Sequence, residues 1–290
     1  MKKNVLFFLL LSISAIAISQ GKIVESLIIH SKGLGKDVRY SIYLPSDYES
    51  SQRRYPVLYL LHGYSDDETG WAQFGEVQKI ANETISKGDA TQMIIVMPDA
   101  GVSWYINDAA GKVKYEDFFI NEFIPFIDSV YKTRSKKQYR AVAGLSMGGY
   151  GSFIYAMKHP DLFSAAAPLS AAIHSDYEIT EMPDNLKNYK FIELFGIDLA
   201  GKNRLTETWN KNSVLKLAAT IAVEKLNQVR YYIDCGDDDR LVKANMELHS
   251  IFLDRNVKHE FRVRDGGHNW PYWRSSLPEV LKFISEGFHR

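Results

Sequence analysis

Ser146 sits in Gly144-Leu145-Ser146-Met147-Gly148, with Gly149 and Gly151 close behind. A serine hydroxyl is a candidate nucleophile for acyl transfer once a base removes its proton. The spacing alone is weak, so the flanks decide. Residues 139–143 read as a strand and 150–158 as a helix, which places Ser146 on the sharp strand-to-helix turn that exposes a nucleophile. Such a turn strains the serine backbone and leaves no room for side chains at 144 and 148. The helix beyond it aims unpaired N–H groups at the anion formed during acyl transfer.

The base must be a histidine further along, and the chain has 8. His268, in Asp265-Gly266-Gly267-His268-Asn269-Trp270, follows the last strand-like run, where a parallel sheet presents side chains at its carboxyl edge. The others fit less well. His30 falls in the first strand, His159 at a helix end before Pro160, His174 in an irregular stretch, His249 and His259 beside a late helix, and His289 at the terminus. His62, in Leu61-His62-Gly63-Tyr64, suits holding its loop by hydrogen bonds better than catalysis.

The histidine needs a carboxylate to fix its tautomer. Gly236-Asp237-Asp238-Asp239 follows the penultimate strand and offers three. Spacing from the Gly236 turn favours Asp239, at the start of the next helix. Asp237 and Asp238 then belong to a solvated turn, and a calcium loop lacks the alternate carboxylate spacing it requires. Two donors must hold the developing oxyanion: the N–H of Met147, directly after the nucleophile, and that of Tyr64, after Gly63 turns the chain back.

The elements that position these residues follow from periodicity. Strands are expected at 24–30, 39–44, 57–61, 93–97, 140–143, 165–169, 229–235 and 260–264. Helices are expected at 76–86, 115–131, 147–158, 214–226, 241–256 and 272–285. Strand alternating with helix implies right-handed crossovers and a mostly parallel eight-stranded sheet with helices on both faces. The 31–37 link is too short for a helical crossover, so the first two strands form an antiparallel edge hairpin. From 20 to 290 no linker or repeat interrupts a single domain. The polar stretch 170–212 breaks the rhythm and reads equally as a lid or as plain surface irregularity.

Four motifs in order, Leu61-His62-Gly63, Gly144-Leu145-Ser146-Met147-Gly148-Gly149, Gly236-Asp237-Asp238-Asp239 and Gly267-His268-Asn269-Trp270, resemble the esterase D-like branch of the α/β-hydrolases. That branch includes carbohydrate esterase family one, with its feruloyl and acetylxylan esterases, and the antigen 85 mycolyltransferases. The resemblance spans about residues 22–288. It implies an α/β-hydrolase fold, Ser146, Asp239 and His268 as triad, and the Tyr64 and Met147 N–H groups as oxyanion hole. The family's G-x-x-D pattern also selects Asp239 among the three aspartates.

Composition narrows partners and compartment. Lys+Arg and Asp+Glu balance at 35 each, so no basic footprint for nucleic acid exists. With 46% apolar residues and 9 prolines, disorder, collagen and coiled coil are excluded. Lys2 and Lys3, an uncharged run from 5 to 18, and small residues at 15, 17 and 19 match a secretory leader over 1–19. The run is short for a bilayer span of about 20 residues, so no membrane association is expected once it is cleaved. The single cysteine, Cys235, excludes an intramolecular disulfide and a lipid anchor at the cleavage site.

The expectation is therefore a periplasmic or secreted serine carboxylesterase, needing no metal or organic cofactor, that removes acetyl or feruloyl groups from plant polysaccharides or oligosaccharides. A siderophore or other small-molecule ester, or acyl transfer to an alcohol, would use the same machinery. A non-catalytic carbohydrate-binding protein on this fold is the reading from another class, and reaction of Ser146 with a fluorophosphonate separates it. Trp71, Trp104, Trp270, Tyr272 and Trp273 fall in or near loops at the active edge, where rings stack on a sugar or a feruloyl group. Trp104 and Trp270 are the expected substrate contacts.

Overall fold

The computed structural model describes residues 20–183, 191–197 and 199–288. The expected leader at 1–19, His289 and part of the 170–212 stretch lie outside the described residues. The strands are β1 (Lys22–Ser31), β2 (Lys36–Leu44), β3 (Val57–Leu61), β4 (Ile94–Pro98), β5 (Arg140–Leu145), β6 (Ala165–Leu169), β7 (Arg230–Gly236) and β8 (His259–Arg264). They form one sheet in the order β1-β2-β4-β3-β5-β6-β7-β8. β1 and β2 are the expected antiparallel hairpin, β2 also runs antiparallel to β4, and every later pairing is parallel.

Side chains alternate across a strand, so each central strand feeds two cores. In β3, Val57, Tyr59 and Leu61 enter one apolar cluster while Leu58 and Leu60 enter the other. Helix α2 (Met147–Lys158) and α3 (Val242–Asp254) cover the first face. Helix α1 (Val77–Ser86) and α4 (Trp270–Phe288) cover the second. Each fully buried aliphatic side chain contributes about 1.5–3 kcal/mol, and β3, β4 and β5 are buried at every position. With helices on both faces, near-continuous apolar runs are what such strands require.

Some elements differ from the expected pattern for identifiable reasons. The helix expected over 115–131 is Tyr115–Phe118, a π turn at Phe119–Phe123, then Ile124–Val130. Pro125 has no N–H to give to the carbonyl one turn back, and a widened turn absorbs that missing bond. The helix expected over 214–226 breaks into Val214–Thr220 and Val223–Leu226, with Ile221 and Ala222 extended between them. Helix α4 begins at Trp270, two residues early, because Pro271 fits the first helical turn.

The described parts of the 170–212 stretch are not surface irregularity. They contain helices Asp176–Glu181 and Glu207–Asn212, and bury Ile173, Ile179, Phe191, Phe195 and Trp209 in the main core. Ser175 and Glu178 form a reciprocal capping box, a signature readable in the sequence as S-x-x-E.

The carboxyl ends of β3 and β5 approach α2 closely. A Cβ at Gly144 would lie 2.7 Å from the Gly148 carbonyl, and one at Gly148 would lie 2.4 Å from Leu61 O. Backbone cannot yield as a flexible side chain does. Gly148→Ala is accordingly expected to lower the urea midpoint by the equivalent of about 1–3 kcal/mol; an unchanged midpoint would show that α2 is free to move off β3.

Candidate active site

Ser146 has φ 55 and ψ −115, the strained geometry expected of the turn. Its N–H donates to Leu169 O at 2.9 Å, and its carbonyl accepts from Tyr150 and Ala172 at 3.0 Å each. These bonds from β6, α2 and the following loop hold a conformation that an L-residue avoids. The side chain then points away from the sheet edge, and its Oγ lies 2.9 Å from His268 Nε2. His268 Nδ1 lies 2.7 Å from Asp239 Oδ2. The three residues are separated by up to 122 positions in sequence and meet because β5, β7 and β8 end at one edge.

Asp239 leaves β7 through a turn in which its Oδ1 accepts the Leu241 N–H at 2.9 Å. Burial pushes its carboxyl pKa up, but hydrogen bonds from His268, the Leu241 N–H and the Ser170 hydroxyl outweigh that, so it sits below the ordinary aspartate value. It is thus a fixed anion on the far side of the imidazole, which keeps the Nδ1 proton in place and leaves Nε2 free to accept. Asp237 and Asp238 are exposed, as expected of a turn. Their carboxylate oxygens and that of Asp265 come within 4.8 Å of one another, and Asp237 Oδ1 accepts the Gly266 N–H.

Both expected oxyanion donors border the serine. Met147 opens α2, where first-turn N–H groups lack an intrahelical acceptor. A Cβ on Gly63 would lie 3.6 Å from Ser146 Cβ and 2.6 Å from Leu145 Cδ1, which places the backbone at Gly63 against the serine turn. His62 holds that loop. Its Nε2 accepts the Ala100 N–H at 2.8 Å, which leaves Nδ1–H to donate to Gly63 O at 2.8 Å, and Tyr105 Oη–H donates to His62 O at 3.0 Å. Burial lowers the His62 pKa, so the ring is a neutral strut. None of the other described histidines is bonded to Ser146.

The serine and histidine open into a cavity of about 540 Å³. Its lining includes Tyr64, Phe74 and Trp270 together with Ala172, Arg240 and Leu241. Phe74 is 53% exposed and its ring lies 6.1 Å from that of Trp270. A hollow of about 630 Å³ on the other side of the 100–104 loop, lined by Leu34, Val102, Val113 and Ile197, holds no nucleophile and base together.

The aromatic residues divide by role. Trp270 borders the cavity as expected. Trp104 also reaches its wall, but is 1% exposed and packed by Phe191 at 4.1 Å and Tyr150 at 5.6 Å, which makes it a floor, not an open stacking face. Trp104 and Tyr105 both have positive φ, at 54 and 62, a strain that sets the ring under Tyr64. Trp71 and Tyr272 do not reach substrate space: Trp71 donates to Leu61 O at 3.0 Å, and Tyr272 Oη is bonded to buried Asp234. Trp273 stands edge-on to His268 at 4.9 Å and backs its ring.

Two contributors are absent from the sequence expectation. Ser170 directly follows β6 at the sheet's carboxyl edge, which was the available signal. It is fully buried, accepts the Trp273 indole N–H at 3.0 Å, and its hydroxyl helps hold Asp239 charged. Phe74 gave no signal, since only tertiary structure brings the end of a one-turn helix, Gly70–Gln73, against Trp270.

This sheet, hairpin and strand-to-helix serine turn make up an α/β-hydrolase fold. The chain belongs to the Esterase family, whose model matches residues 31–284, and is a carboxylic ester hydrolase. It is similar to an acetyl esterase of Caldicellulosiruptor saccharolyticus, 24% identical over 265 residues that cover 89% of this chain and 96% of the relative. It is 32% identical over 210 residues to an endo-1,4-beta-xylanase/feruloyl esterase of Xylanibacter ruminicola, covering 70% of this chain but 28% of that longer protein. Among solved structures, a ferulic acid esterase superposes with a TM-score of 0.81 at 35% identity, covering 93% of this chain and 99% of the other. Among the described residues, no helix is long and apolar enough to cross a membrane.

Ser170→Ala leaves the Trp273 indole N–H without its acceptor and removes a group that favours ionised Asp239; kcat on a simple aryl ester is expected to fall about tenfold with KM little changed, and steady-state kinetics at pH 7 would show it. A second expectation concerns His174, which packs against Phe191 and Trp104. Burial, opposed by Glu178 and assisted by Arg240, pulls its pKa down to about 4. Between that value and about 6.5 the unfolded chain binds the proton and the folded one does not. The stability is therefore complete above the unfolded pKa and drains away as pH falls towards 4. Going from pH 7 to 5 should cost the wild type about 2 kcal/mol more than His174→Phe in urea titrations.

Proposed function

We propose that the protein is an exported serine carboxylesterase that removes acetyl or feruloyl groups from plant polysaccharides or their fragments. The observation that carries the mechanism is the unbroken line Asp239···His268···Ser146, at 2.7 and 2.9 Å, ending inside the aromatic-walled cavity. Ser146 Oγ attacks the ester carbonyl while His268 Nε2 takes its proton. The carbonyl oxygen becomes an anion received by the Met147 and Tyr64 N–H groups. His268 then protonates the alkoxide of the departing sugar, leaving an acyl-serine. Water repeats the sequence in reverse, giving its proton to His268 and releasing the carboxylic acid and free Ser146.

The substrate reading is supported by the acetyl esterase and feruloyl esterase activities of the relatives and by the ring faces of Phe74 and Trp270, which suit a pyranose or a phenolic acid. Export is supported by the charged, apolar and small-residue sections of 1–19, and a periplasmic or secreted location follows from it. Balanced charge gives no support to a nucleic-acid partner.

The test is parallel release of acetate from acetylated xylo-oligosaccharides and of ferulate from methyl ferulate, by wild type and Ser146→Ala. The variant should lose at least about a thousandfold in kcat while keeping its fold. Acetate release alone would define a deacetylase with a small acyl pocket, whereas ferulate release would place a phenolic ring in the cavity. Turnover of neither, with rapid cleavage of 4-nitrophenyl acetate, would discard plant polysaccharide while keeping the serine mechanism. Full activity in Ser146→Ala would overturn the mechanism itself.

A further inference from the structure

Every described arginine except Arg240 has a protein partner. Arg39, Arg53, Arg140, Arg230, Arg262, Arg264 and Arg274 pair with carboxylates. Arg54, Arg204 and Arg255 donate to backbone carbonyls, and Arg134 covers the Tyr139 ring. Arg240 is exposed and has no hydrogen bond, ion pair or ring contact to any described residue. That is notable because its chain neighbours Asp237, Asp238 and Asp239 are all acidic. Asp239 faces His268 and the Leu241 N–H, and Asp237 accepts from Gly266, so the turn directs the carboxylates one way and the guanidinium another.

Arg240 lines the cavity that holds Ser146 and His268, together with Ala172, Leu241, Tyr64 and Trp270. Its backbone belongs to the same turn that carries Asp239, which keeps the base of the side chain beside the serine and histidine. A guanidinium is permanently charged, weakly hydrated, and shaped to receive two carboxylate oxygens side by side. The other acid on the cavity lining, Asp66, has its Oδ1 engaged by the Asp67 N–H and makes no ion pair with Arg240.

We infer that Arg240 is a specificity-determining residue that receives the carboxylate of an acidic sugar, so that the enzyme selects esters carried on uronic-acid-bearing oligosaccharides. The inference rests on the sugar-ester reading above and refines it. Phe74 and Trp270 offer the ring face and Arg240 the charge, across a cavity wide enough for the two to engage one substrate together.

The experiment has two arms, so that failure of the general reading and failure of this one are told apart. In the first, glucuronate and glucose are compared as inhibitors of 4-nitrophenyl acetate hydrolysis by wild type, Arg240→Gln and Arg240→Lys. Glucuronate should inhibit wild type at least about tenfold more strongly than glucose, the difference vanishing in Arg240→Gln and partly returning in Arg240→Lys. Added NaCl should weaken it. Far-UV circular dichroism and the urea midpoint should match wild type, which reports that each variant is folded. In the second arm, kcat/KM for acetate release is measured on acetylated xylo-oligosaccharides with and without a uronic-acid branch. Arg240→Gln should lose about tenfold on the acidic substrate only. Equal inhibition by the two sugars in wild type, or equal losses on both oligosaccharides, would overturn the role of Arg240. Selective inhibition by glucuronate without turnover of either oligosaccharide would keep the anion site and discard xylan as the carrier.

Discussion

The site depends on a backbone contact before it depends on any catalytic side chain. At the carboxyl ends of β3 and β5 the chain passes α2 so closely that Gly144 and Gly148 have no space for a Cβ. Ser146 takes its positive-φ turn at that contact, at the N-terminus of α2, and the 63–65 loop lines the same cavity. The strain is held by hydrogen bonds from β6 and the 170–172 loop, so the sheet maintains it.

Around that junction the protein surrounds charge with low-dielectric packing. Asp239 is buried yet ionised because three donors compensate its lost hydration. His268 sits between that anion and Ser146 with the Trp273 edge behind it, and Ser170 links Trp273 to the acid. Deeper in the same sheet, Asp234 gathers Tyr232, Arg264 and Tyr272, tying β7, β8 and α4 together at the base of the loop that carries His268. Buried polar networks on neighbouring strands thus flank the Asp239–His268–Ser146 line.

The 170–212 stretch shows how a polar sequence can serve a core. Its described helices bury a few aromatic side chains beneath a charged exterior, and Phe191 presses on Trp104 to form the floor of the cavity. Substrate space is therefore bounded by two segments that carry no catalytic residue, the 100–105 turn and this stretch.

Local periodicity and turn chemistry were enough to place the eight strands, the edge hairpin, the serine turn and the loops bearing Asp239 and His268. These are short-range properties: alternation of apolar residues, glycine where a side chain cannot fit, and the position of a loop after its strand. Even the capping box at Ser175 was legible. The break at Ile221 and Ala222 was not, nor the π turn at Phe119–Phe123, because packing and a single Pro125 override an uninterrupted helical pattern. Which rings face substrate was decided only in three dimensions. Trp104, Tyr272 and Trp71 sit near the active edge in the chain but are covered by neighbours from distant segments, whereas Phe74, at the end of the Gly70–Gln73 turn, lies exposed against Trp270 of α4. The same holds for Arg240: its type was plain in the sequence, but that it stands unpaired in the cavity depends on where three adjacent carboxylates turn. Burial and pairing are sums over contacts between remote residues, and only the packed fold evaluates them.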